Sequence, residues 1–190
     1  MVTKETCWLE TYTGKKINPF NMRVEDIDMI DIAHSLSLTC RFNGHCSRFY
    51  SVAEHSILVF KLVNSLFADY KCYSLYDYSI AALLHDATET YLADVPAPIK
   101  PLISGYKDVE NKVMDVVFEK FNIGKVDWSI IHRADLLALR IEADKFMFSR
   151  GIDWDVNSLP LIDIEITEYK SVESMFLIIL RTLLDKRSKL

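Results

Sequence analysis

The stretch Ala81-Ala82-Leu83-Leu84-His85-Asp86-Ala87-Thr88-Glu89 constrains this chain more than any other. Its first half is apolar and predicts a buried helix. A histidine and an aspartate then stand side by side, and a glutamate follows one turn later. On a helix, positions three and four apart share a face, so Glu89 would lie over both Asp86 and His85. Burying such groups is costly unless something pairs them. A divalent metal pairs them well, because imidazole nitrogen and carboxylate oxygen are ordinary ligands for transition metals.

One His-Asp pair occurs by chance in many proteins, so partners elsewhere decide the reading. His55 sits in Tyr50-Ser51-Val52-Ala53-Glu54-His55-Ser56. The segment Ser51-Val52-Ala53-Glu54 is a capping-box sequence, which opens a helix running to about Ala68 and gives Glu54 a structural role. Asp135 sits in His132-Arg133-Ala134-Asp135-Leu136-Leu137, where Ile131, Asp135 and Leu139 share one helical stripe. An aspartate in an apolar stripe is rarely left unpaired. Asp127 can cap that helix, which should end near Ser149.

The remaining chain reads as more helix with a small exception. Cys7 to Ile17 alternates weakly around Thr13-Gly14-Lys15-Lys16 and suggests a short hairpin. A helix is expected from Val24 to Leu38, and a loop from Thr39 to Tyr50. The helix carrying His85, Asp86 and Glu89 should open at Ser74-Leu75-Tyr76-Asp77. Pro96, Pro98 and Pro101 break the pattern after Asp94. Helices are then expected from Gly105 to Phe121 and from Tyr169 to Lys186, with a loop and at most one short strand from Gly151 to Ile166.

The order His … His-Asp … Asp, each on an expected helix, resembles the HD-domain metal-dependent phosphohydrolases, over roughly Ile27 to Lys145. Ser-Val-Ala-Glu-His-Ser, His-Asp-Ala-Thr-Glu and the later Ala-Asp-Val-Pro-Ala-Pro-Ile-Lys resemble its 5′-deoxynucleotidase branch and the phage deoxyadenosine triphosphate triphosphohydrolases. The resemblance implies an all-α HD-domain helical bundle in a single domain. It implies one divalent ion (Mn, Co, Fe, Ni, Zn or Mg) held by His55, His85, Asp86 and Asp135. Glu89 becomes the expected general acid or base, since it can reach a water at the ion without filling the coordination sphere. Asp94 is expected to handle the leaving oxygen or the sugar, against the plainer reading of a helix-ending aspartate.

Arg41 and Phe42 resemble the arginine–aromatic pair that meets the nucleotide in the deoxynucleotidase branch, with phenylalanine where that branch often has tryptophan. Arginine suits phosphate because its fork donates two parallel hydrogen bonds. Phe42 could stack on a base or pack in the core. Arg48 and Lys100 are further candidate phosphate contacts. His34, His45 and His132 are more often structural than catalytic, although His45 lies in the candidate substrate loop.

Removal of phosphate from a 5′-deoxynucleotide is the expected activity. Release of triphosphate from a dNTP is the alternative, and a nucleotide-binding domain with little turnover is the second. The net charge of −5 does not suggest a protein that coats nucleic acid, and no nucleic-acid polymer is expected as a partner. The most apolar tail, Met175 to Leu184, contains Arg181 and is too short to span a bilayer. Cys7, Cys40, Cys46 and Cys72 form no C-x-x-C pair, and no basic segment followed by an apolar run opens the sequence. Free thiols in a reducing cytoplasm are therefore expected. The resemblance adds a homo-oligomer, at least a dimer.

Overall fold

The computed structural model describes residues 3–66, 75–164, 166 and 171–189. It is mostly helical, with one small antiparallel hairpin: β1 (Leu9–Glu10) pairs with β2 (Lys16–Ile17), Leu9 opposite Ile17 and Glu10 opposite Lys16. Gly14 takes φ +83° in the connection, a conformation that side chains with a Cβ rarely adopt. Among the described residues seven α-helices follow: α1 (Met29–Leu38), α2 (Val52–Leu66), α3 (Leu75–Leu84), the single turn α4 (Glu89–Leu92), α5 (Tyr106–Lys120), α6 (Trp128–Phe146) and α7 (Val172–Arg187).

The helix starts follow their local chemistry. At α2 the box is complete: the Ser51 amide donates to Glu54 Oε2 (2.8 Å) and the Glu54 amide donates to Ser51 Oγ (3.1 Å). Asp127 accepts the Ser129 amide at the start of α6, and Ser171 accepts the Ser174 amide at α7. Caps of this kind each contribute about 1 kcal/mol.

Helix α2 lies between two apolar clusters. Val52, Ala53 and Ile57 join Ile32, Leu36, Ile80, Leu84, Phe176 and Leu180. Leu58, Val59, Leu62 and Val63 face Ala81, Ala82, Ile131, Ala134 and Leu137. Helix α3 also feeds both clusters. The sequence of α2 is apolar on more than one side, as burial between neighbours requires. This packing places the first turn of α2, the end of α3 and the middle of α6 beside one another.

Three expected elements differ. The stretch from Val24 to Leu38 is a 3-10 turn (Val24–Asp26) followed by α1, because Ile27 is extended (φ −78°, ψ 128°) and Asp28 caps the new helix through the Ile30 amide. The helix leading to His85 stops at Leu84. Beyond it, short bonds from the Ala87 amide to Leu84 O and the Glu89 amide to Asp86 O make a tighter turn. Between Gly151 and Ile166 the described residues contain a 3-10 turn, Asp155–Ser158, and no strand. The expected end of α2 at Ala68 and start of α7 at Tyr169 lie outside the described residues.

Candidate metal centre

The two histidines meet through their Nε2 atoms, 3.2 Å apart. His55 comes from the first turn of α2 and is fully buried; His85 comes from the turn after α3. Both Nδ1 atoms are occupied elsewhere. His55 Nδ1 is 2.6 Å from Glu142 Oε1, and His85 Nδ1 is 2.8 Å from Ala82 O. A backbone carbonyl only accepts, so His85 Nδ1 carries hydrogen and its Nε2 presents a lone pair unless the ring is protonated. The Glu142 carboxylate imposes the same tautomer on His55.

Two Nε2 lone pairs at that separation repel unless a cation lies between or beside them. Two carboxylates complete the surround. Asp135 Oδ1 is 3.1 Å from His55 Nε2 and 3.9 Å from His85 Nε2. Asp86 Oδ2 is 3.5 Å and 3.3 Å from the same two nitrogens. One donor atom each from His55, His85 and Asp135 lie within 4.8 Å of one another. Nitrogen and carboxylate donors with both imidazoles oriented from behind suit a divalent transition ion. The group therefore fits the ion expected from the sequence, with Asp86 beside it.

Without an ion, the cluster holds protons instead. Burial and the Arg41 charge oppose protonation of His55, but Glu142 and Asp135 outweigh them and lift its pKa to about 10. Burial raises Glu142, yet Arg41 and His55 hold it down at about 2. Desolvation also raises Asp135, but its hydrogen bond to His55 and the charges of His55, His85 and Arg41 keep it well below the ordinary carboxylate range.

Glu142 is the residue that sequence reading missed. It is fully buried on α6, and its two oxygens serve opposite sides of the site. Oε1 takes His55 Nδ1 and accepts from the Tyr50 hydroxyl (2.9 Å); Oε2 accepts from Arg41 Nη2 (3.2 Å). A signal existed: Glu142 is seven residues after Asp135, two turns along the same stripe.

Arg41 leans into the centre, with Nη1 3.6 Å from Asp86 Oδ2. Burial works against its charge, but Glu142, Asp86, Asp135 and Glu89 raise its pKa further above the usual arginine value. Phe42 lies beside it, 5.3 Å from the guanidinium carbon and 6.0 Å from the Trp154 ring. Its φ of 55° is unusual for a bulky residue. Trp154 is thus a second aromatic at this loop that sequence reading did not single out.

Glu89 is buried one turn beyond the histidines. Among the described residues its Oε2 has no hydrogen-bond partner, while Lys100 Nζ stands 3.5 Å from Oε1. Burial and the charges of Asp86 and Asp94 push its pKa well above the carboxylate range. Asp94 is raised by burial first and then by Asp86, against Arg41 and Lys100. It follows Ala93, whose φ 68° and ψ 160° lie in a region that almost only glycine occupies. Two other expected contacts are committed elsewhere. Lys100 makes its shorter bond, 2.9 Å, to Glu110 Oε1, and Arg48 binds Glu54 Oε1 at 3.0 Å through Nη2. His34 pairs with Glu173 (3.1 Å), away from the centre.

No protein-family model matches the chain. It is 39% identical over 149 residues to the uncharacterized protein YfdR of Escherichia coli (strain K12), a match covering 78% of each chain. It is 34% identical over 145 residues to the uncharacterized protein RCAP_rcc00048 of Rhodobacter capsulatus, covering 73% of this chain and 72% of that one.

Proposed function

We propose that this chain, which belongs to the family of YfdR and RCAP_rcc00048, is a metal-dependent phosphohydrolase that removes phosphate from a 5′-deoxynucleotide. The observation that carries the reading is the facing pair of Nε2 atoms, 3.2 Å apart and ringed by carboxylates, with, one turn away, a buried Glu89 oxygen that has no partner among the described residues. The resemblance of the sequence to HD-domain enzymes supplies the nucleotide. His55, His85, Asp86 and Asp135 would hold the ion. A divalent ion there would act as a Lewis acid toward a phosphate oxygen and make water more acidic.

The protein's own groups do the rest. Arg41 is the cation at the mouth and binds a phosphate oxygen, releasing its long contact to Asp86. Glu89 Oε2 takes the proton from the water that attacks phosphorus; its raised pKa makes its ionised form a stronger base than an ordinary carboxylate, and the nearby Lys100 favours that form against burial. The ester bond from phosphorus to the 5′-oxygen breaks, and Asp94 supplies or relays the proton that oxygen needs. Products are inorganic phosphate and a deoxynucleoside.

A monophosphate fits better than a triphosphate. A triphosphate brings about four negative charges and needs several cations. Of the three basic residues singled out for phosphate, Arg48 is bound to Glu54 and Lys100 to Glu89 and Glu110, which leaves Arg41 facing the centre. The test is phosphate release from a panel of deoxynucleoside mono- and triphosphates, with and without Mn or Co. Metal-dependent release of inorganic phosphate from a monophosphate is expected. Triphosphate as the product would move the activity to dNTPs, and no release from any member would end the reading.

A further inference from the structure

Two thiols outside the proposed machinery stand at the base of the Arg41 loop. Cys40 Sγ and Cys46 Sγ are 4.0 Å apart, and both residues are partly exposed. The fold fixes both ends of the loop between them. On the Cys40 side, Cys40 bridges to Ser51, and the Arg41 amide donates to Tyr50 O at 2.9 Å. On the Cys46 side, the Ser47 amide donates to Phe146 O at 2.9 Å. Between them the chain turns back sharply, with φ of 55°, 50° and 76° at Phe42, Asn43 and Gly44. The loop is therefore already closed before any bond forms, and the closure entropy that usually opposes a disulfide has been met by folding.

We propose that Cys40 and Cys46 are a redox modification site, converted by hydrogen peroxide into a disulfide that staples the Arg41 loop. Burial and the neighbouring Cys40 sulfur raise the Cys46 thiol, which fits Cys46 to the second, resolving step. The Cys40 thiolate attacks one peroxide oxygen. The O–O bond breaks, hydroxide leaves and takes up the proton lost from Cys40, and a sulfenic acid and one water result. Cys46 sulfur then attacks the sulfenic sulfur. The S–S bond forms, the S–O bond breaks, and the hydroxyl leaves with the Cys46 proton as a second water. The two thiols lose two electrons and two protons, and the peroxide gains them. The sulfurs must approach from 4.0 Å to about 2.05 Å. The Cys46 thiol now donates to the Arg41 carbonyl at 3.8 Å, so the bond replaces that contact and fixes the backbone on which Arg41 stands.

This site stands apart from the phosphohydrolase reading, because its readout is thiol chemistry. The full chain is treated with graded hydrogen peroxide, alkylated, and digested with trypsin without reduction. Cleavage after Arg41 and Arg48 puts Cys40 and Cys46 in different peptides, which stay together only if the disulfide has formed. The expected result is loss of both thiols together, a Cys40–Cys46 cross-linked pair, and recovery of both by dithiothreitol. In Cys46→Ser, Cys40 should stop at a sulfenic acid that dimedone traps. Either of two results in the parent protein would overturn the site: trapped sulfenic or sulfinic acid without the cross-link, or both thiols intact where Cys7 is already oxidised.

Discussion

His55 Nδ1 and Glu142 Oε1 are 2.6 Å apart, both fully buried, joining the first turn of α2 to the last third of α6. The same carboxylate holds Arg41, so one acidic group orients an imidazole of the candidate metal centre and anchors the cation beside it. Glu142→Gln should therefore lower metal affinity by ~10–100-fold, as loss of an outer partner of a ligating histidine does. It should also lower stability, by at most about 3–5 kcal/mol, since Arg41 loses its nearer carboxylate and keeps only the longer contact to Asp86. Metal titration by calorimetry, beside thermal unfolding, checks both. A lower melting temperature with unchanged metal affinity would reduce Glu142 to a structural role.

Ion binding should stabilise the folded protein by linkage, by about 2.7 kcal/mol when free metal is a hundredfold above its dissociation constant. Asp135→Ala should lose most of that gain, each protein being compared with itself in chelator, because the variant also loses its metal-free pairing with His55. Elemental analysis showing full metal content in the variant would take Asp135 out of the site.

The metal-free protein should have a defined pH window. Glu142 is depressed from 4.5 to about 2, so its contribution is present above pH 4.5 and is lost as pH falls toward 2. His55 is raised from 6.5 to about 10, so its contribution is full below pH 6.5 and is lost as pH rises toward 10. Denaturant titrations in chelator should thus find greatest stability between these limits. His55→Asn should flatten the alkaline decline, and an unchanged decline would assign it to other groups.

If Arg41 grips phosphate, Arg41→Ala should cost ~1.5–3 kcal/mol in kcat/KM, the range for a hydrogen bond to a charged group. Lysine should rescue only partly, because it lacks the planar fork. Unchanged steady-state kinetics in the alanine variant would move the phosphate contact elsewhere.

Glu89→Gln should keep metal and nucleotide binding while turnover falls by roughly 10²–10⁴, the usual acid–base contribution. Calorimetry and single-turnover hydrolysis on the same preparation separate the two effects. Hydrolysis near the parental rate would end the proton-transfer role, and loss of metal would make Glu89 a support of the ion site.

The helical architecture was legible because its signals are local. Ser51 and Glu54 announce the start of α2, Asp127 that of α6, and the apolar spacing of each helix needs only its own segment. The convergence of His55, His85, Asp86 and Asp135 was legible as a pattern, although their distances depend on how α2, α3 and α6 pack. Glu142 escaped because its partners Tyr50, His55 and Arg41 lie 92, 87 and 101 residues away, so nothing nearby marks it as paired. Arg48 differs: Glu54 is only 6 residues away, but their pairing depends on a loop that turns back over α2. The break at Leu84 was hidden because Ala87, Thr88 and Glu89 continue the sequence pattern while the backbone tightens around His85.

That break has an electrostatic meaning. Because α3 ends at Leu84, its last carbonyls are met by the turn that follows: Leu84 O accepts the Ala87 amide, and Ala82 O contacts His85 Nδ1. The peptide dipoles of a ten-residue helix add up to about half a negative charge at this end. Had α3 run on through Glu89, that pole would have lain several residues beyond the histidines. Stopped where it is, the backbone itself contributes an attraction for positive charge beside the imidazoles, and side-chain substitutions leave that attraction in place.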